Sequence, residues 1–212
     1  MRWLDELERR FHFLTIPQFP LFIAATNGFI FLLGQAQPAF VQRLTLDPAA
    51  ILAGEWWRTL TFLFIPPPWS PFFLVFWLLL LYQIAQSLEQ AWGEFHFFFF
   101  YLLGAACTVA ASLWVLHQPL GNVSLNTTLF LAFATLYPEI EFLVFFILPI
   151  KVKYLAWFVW LTTGISFALG TFATRIAIAA SLANYFFFFG PDLWKAARLK
   201  WEVYQNRRRF RS

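Results

Sequence analysis

Cysteine is nearly missing from this chain. Cys107 stands alone inside an apolar run, which excludes internal disulfides and paired-thiol redox chemistry and reads as a small buried apolar residue. Histidine is almost as scarce: His12, His96 and His117 fall at no ligand spacing, so neither metal nor cofactor is expected. Charged residues make up only 12% of the sequence, against 60% hydrophobic residues and 30 phenylalanines. A soluble fold could not hide that much apolar surface, and the expected class is an all-α polytopic membrane protein. No phosphate-binding loop and no repeat of roughly 20 to 50 residues is present. The net charge of +4 does not indicate nucleic acid, because seven of the fifteen Lys and Arg lie in the last eighteen residues, outside any apolar segment. That placement points to anionic membrane lipid instead.

What is present divides into three parts. Residues 1–18 place Trp3, Leu4, Leu7, Phe11 and Leu14 on one stripe, as in a short interfacial helix. Arg2, Arg9 and Arg10 mixed with Asp5, Glu6 and Glu8 do not read as a secretory signal. Residues 19–190 are expected to form the membrane domain, and residues 191–212 a basic amphipathic tail. Spans are predicted at 19–33, 71–88, 95–116, 154–172 and 176–189, with Gly190-Pro191 ending the last. The connection from Gln35 to Ser70 is too polar to span and is expected in the interface, closed by Pro66-Pro67-Pro68. In the stretch from Pro138 to Lys153, Pro149 precludes one straight helix.

A further segment, Asn122 to Pro138, is the most unusual. Its apolar run holds about 13 residues, roughly 20 Å of helix, whereas a hydrocarbon core is about 30 Å thick. Its polar start (Asn122, Ser124, Asn126, Thr127, Thr128) is therefore expected below the membrane surface, walled in by other helices. Counting this short helix gives six spans and both termini on one side. Placing that side in the cytoplasm puts twelve of the fifteen Lys and Arg inside, the arrangement expected in a bacterial-type inner membrane. A transporter or channel is disfavoured because the span interiors nearly lack ionisable residues.

Four stretches, in order, carry a family signal. Gly54-Glu55-Trp56-Trp57-Arg58-Thr59-Leu60-Thr61 follows Leu46-Asp47-Pro48, and Leu88-Glu89-Gln90-Ala91-Trp92-Gly93 closes the second span. Leu136-Tyr137-Pro138-Glu139-Ile140-Glu141 and Pro149-Ile150-Lys151-Val152-Lys153-Tyr154-Leu155 complete the set. Together they resemble the rhomboid family of intramembrane serine proteases and imply its six-helix bundle, with a long interfacial first loop and a short fourth helix. On physical grounds Arg58 is expected to stack beside Trp57 and donate to loop carbonyls. Glu89 is expected to cap the next helix, Gly93 to permit the reversal, and Trp92 belongs to the same structural motif.

The resemblance also implies a nucleophile in a G-x-S-G stretch, a histidine base on the sixth helix, and a His-xxx-Asn pair of oxyanion donors on the second. Only the serine position is filled. Ser124 is the one candidate nucleophile, but it stands in Asn122-Val123-Ser124-Leu125 with both glycines absent. Ser181 occupies the base position, and a serine hydroxyl has no usable basicity near neutral pH. Phe73 and Trp77 occupy the donor positions. Within the sequence, His117 is the histidine closest to Ser124. The expected protein is thus a rhomboid-like pseudoprotease that binds transmembrane segments of clients, between Phe73, Phe76 and Trp77 on one helix and Trp157 and Trp160 on another. The alternative is an active intramembrane serine protease using Ser124.

Overall fold

A computed structural model describes residues 8–9, 15–144 and 148–209. The interfacial helix expected at 1–18 lies for the most part outside the described residues. The chain is mostly helical. Helix α1 spans Phe19–Ala36, and three short helices follow in the connection: α2 Pro38–Gln42, α3 Pro48–Leu52 and α4 Arg58–Thr61, the last continued by a 3-10 turn at Phe62–Phe64. Next come α5 (Pro71–Trp92), α6 (Glu94–Ala110, extended by a π stretch at Ala111–Leu116) and α7 (Val123–Leu136). A hairpin of β1 (Glu141–Val144) and β2 (Leu148–Lys151) leads into α8 (Val152–Leu169) and α9 (Phe172–Arg209).

Local sequence sets the helix ends. Pro20, Pro38, Pro48 and Pro71 open their helices where a missing amide costs nothing. Gly93 ends α5 at φ +90°, a conformation that side chains disfavour. His117 ends the π stretch at φ +52°. Five helical segments are long and apolar enough to cross a membrane: Phe19–Ala36, Pro71–Trp92, Glu94–Leu116, Val152–Leu169 and Phe172–Gly190. Helix α7, with 14 residues, reaches only about 21 Å.

Helix α7 occupies the middle. It packs against α5, α6, α8 and α9, and Leu125, Thr128, Leu129, Leu131, Ala132 and Phe133 along it are buried. In hydrocarbon, helices gain nothing by hiding apolar surface from one another, so close fit and internal hydrogen bonds hold them together. The phenylalanine runs supply part of that fit. Phe19 meets Phe97, Phe98 and Tyr101 edge-on, and Trp92 lies against Phe100, Phe188 and Phe189. By contrast, α8 is open: apart from Val152 none of its residues is buried.

Two expectations need correction. Gly190-Pro191 does not stop the last helix, which continues to Arg209. A proline removes one amide and crowds one carbonyl; a helix can absorb that with a local adjustment when its neighbouring turns persist. The chain is also not purely helical, since the segment around Pro149 forms an antiparallel hairpin with Glu141 opposite Lys151 and Leu143 opposite Pro149. Both strands are edges, so the missing proline amide is tolerated.

Ion pairs close the open end of the hairpin. Glu139 accepts from Lys153 Nζ at 2.7 Å and Lys151 Nζ at 2.9 Å. Hydrogen bonds from Lys153 and then Lys151 hold the Glu139 carboxyl down at about 2, below its ordinary 4.5. A carboxyl depressed in the folded state stabilises above its unfolded pKa, and that contribution fades as pH falls from 4.5 towards 2. Carbon-detected titration of Glu139 should therefore give a midpoint near 2, moving upward in Lys153→Met. A wild-type midpoint at 4.5 would mean that the pairs do not form in solution.

Candidate functional site

Between α7, α8 and α9 lies a cavity of about 260 Å³. Helix α7 contributes Val123, Ser124, Thr127 and Thr128; α8 contributes Thr162, Thr163 and Ser166; α9 contributes Ile178, Ser181 and Leu182, with Thr174 near its start. Eight of these eleven side chains end in a hydroxyl, and none is ionisable. Ser124 and Ser181, paired only through the family resemblance, thus line the same space.

Half of the eight hydroxyls are polarised in one direction. Thr127 donates to the Val123 carbonyl at 2.9 Å, Thr128 to Leu125 at 2.8 Å, Thr162 to Val159 at 3.0 Å and Ser181 to Ile178 at 2.9 Å. Each of these four has spent its only proton within its own helix and can offer only lone pairs outward. That half of the wall accepts hydrogen bonds and does not donate them. It suits a guest rich in N–H groups. Ser124, half-buried, forms no such back-bond among the described residues, leaving its proton free.

Nucleophilic attack by Ser124 needs a group to take that proton. Ser181 is itself a donor, to Ile178, and among the described residues no imidazole, carboxylate or amine lines the cavity. His117 is exposed at the turn after the π stretch, His96 lies in the first turn of α6 with Nδ1 3.9 Å from Glu8, and His12 is outside the described residues. Among the described residues no three His, Cys, Asp or Glu side chains converge as metal ligands would. No protein-family model matches the chain, and no curated protein is similar to it. Chemistry must therefore be read from these side chains alone.

The other expected site residues are distributed as follows. Arg58 is buried and donates through Nη1 to the Gln42 and Thr45 carbonyls at 2.9 and 3.1 Å, and through Nε to Glu55. It pins the connection as expected, but Trp56 and Trp57 point outward and Arg58 reaches oxygens, not indoles. Glu89 does not cap α6, whose first turn begins at Gly93 without a side-chain cap. The glutamate is one turn too far back along α5, and its Oε2 is buried without a partner. Phe73 is half-exposed against Phe72, and neither Phe73 nor Trp77 lines the cavity.

Of the aromatic residues expected to flank a client, Trp160 turns to Tyr185 and Phe186 of α9 and Trp157 is 75% exposed, while α7 packs against both α5 and α8. Asn126, expected with the polar start of α7, is absent from the lining, and Asn184 of α9 donates to the Phe100 carbonyl at 3.1 Å inside the core. Sequence reasoning missed Thr162, Thr163, Ser166 and Thr174. Their signal was the run Thr162-Thr163-Gly164-Ile165-Ser166, hydroxyls three and four apart interrupting an otherwise apolar span.

Proposed function

We propose that this chain is a rhomboid-like membrane protein that binds transmembrane segments of other proteins without cleaving them. One observation carries the reading: the cavity that contains Ser124 also contains Ser181 and is lined, among the described residues, by eight hydroxyls and no proton acceptor of useful basicity. An unwound stretch of a membrane helix exposes amides that hydrocarbon cannot satisfy, and acceptors at depth relieve that cost. The short central helix α7 and the family motifs in order support the same reading. So does the exposure of α8, which lines the cavity with Thr162, Thr163 and Ser166 and has no buried residue besides Val152. In this reading the bundle makes six crossings, α7 included, in a bacterial-type inner membrane, with both termini in the cytoplasm as the Lys and Arg distribution favours.

The test is photocrosslinking from position 123, which lines the cavity and is 72% exposed. A benzophenone side chain placed there in native membranes should yield adducts with membrane proteins. Replacing Thr127 and Thr162 together with valine should weaken those adducts. Adducts with lipid alone would contradict client binding.

A further inference from the structure

A second cavity, of about 250 Å³, lies away from the hydroxyl-lined one, between the start of α1 and the last turns of α5. Its walls are Gln18, Pro20, Leu21, Tyr82, Gln86 and Glu89. Four of the six are polar. Glu89 Oε2 is fully shielded from solvent yet has no hydrogen-bond partner. A carboxylate oxygen left in that state is costly, and turning the carboxylate towards a donor in the cavity removes the cost. Among the described residues no Lys, Arg or His lines the cavity. The only charge on the wall among them is negative, so the missing donor is best supplied by a cation.

We propose that this cavity binds a primary ammonium group, with Glu89 as its anionic partner and the Gln18, Gln86 and Tyr82 oxygens as further acceptors. The position favours a lipid headgroup as the source. Gln18 immediately precedes α1 and Glu89 lies three residues, about 4.5 Å, before the end of α5. Both therefore sit near the ends of span-length helices, at headgroup depth. Leu21 belongs to the cavity wall and is 49% exposed, offering an apolar surface to an acyl chain. A quaternary ammonium has no N–H to give Oε2, and one tyrosine is not the aromatic cage that such a group prefers. Phosphatidylethanolamine fits this site and phosphatidylcholine does not.

The experiment is native mass spectrometry of the full chain released from micelles, titrated with phosphatidylethanolamine, its N-methyl and N,N-dimethyl derivatives, and phosphatidylcholine of matched acyl chains. Binding should fall stepwise along the series, by about tenfold from first to last. Glu89→Gln should abolish the gradient, as should Gln86→Leu in large part if the first variant folds poorly. Free ethanolamine and spermidine, titrated alone, distinguish the sources: lipid retention without amine binding assigns a headgroup, and competition by free amine assigns a soluble ammonium compound. Equal retention of all four lipids with no amine binding overturns the proposal, as does a gradient unchanged in Glu89→Gln.

Discussion

Gly104→Val separates α6 from α7 and α9 and destabilises the protein by about 3 kcal/mol. Any Cβ at Gly104 would run into Leu125 Cδ1 on α7 and would lie 2.8 Å from Asn184 Nδ2 on α9. All three residues are buried, and the Asn184 amide is already engaged with Phe100. Neither neighbour can withdraw without breaking something else. Thermal unfolding in detergent checks the size of the loss. Leu125→Ala in the Gly104→Val background should restore part of it, although Leu125→Ala alone costs about 2–5 kcal/mol by opening a cavity. Simple additivity of the two would mean that the helices do not meet here. Gly104 on α6 thus supplies the room that the Leu125 side chain of α7 takes up.

Asn122→Leu is the second large effect, about 3 kcal/mol. The Asn122 amide donates to the Leu63 carbonyl at 3.0 Å and to the Ile65 carbonyl at 2.9 Å. It is buried, and these two bonds tie the start of α7 to the connection just before the proline run. Leucine fills a similar volume but leaves both carbonyls without these donors. Asn122→Asp, which keeps the shape and turns an acceptor towards them, should be at least as harmful. Limited proteolysis should then cut near residues 65–70, where the wild type resists. Unchanged stability and protection in both variants would show that this tie is not structural.

Much of this architecture could be read from pattern. The long helices announced themselves by apolar length, and α7 by being too short. Gly93 was legible because a reversal between adjacent helices needs a positive φ, and Arg58 because a lone cation among aromatics must find acceptors. The hairpin was not legible beyond the proline, because Phe142, Leu143, Val144 and Ile150 read as apolar whether helical or extended. Nor was the role of Asn122, whose partners lie nearly sixty residues earlier in the chain. The cavity was half visible. Ser124 and Ser181 came from a family pattern, whereas the α8 hydroxyls looked like interruptions of a span until the fold brought them opposite α7. The partners of Trp160 were not legible, because pattern gives the face of a helix but not the neighbour that meets it.

In the proposed function the Ser124 hydroxyl has no base beside it and does no chemistry. A fluorophosphonate probe reacts with an activated serine and spares an ordinary one, so labelling of the purified protein tests this directly. No labelling above that of Ser124→Ala is expected, and no cleavage of a membrane-embedded peptide. Labelling of the wild type that disappears in Ser124→Ala would contradict it.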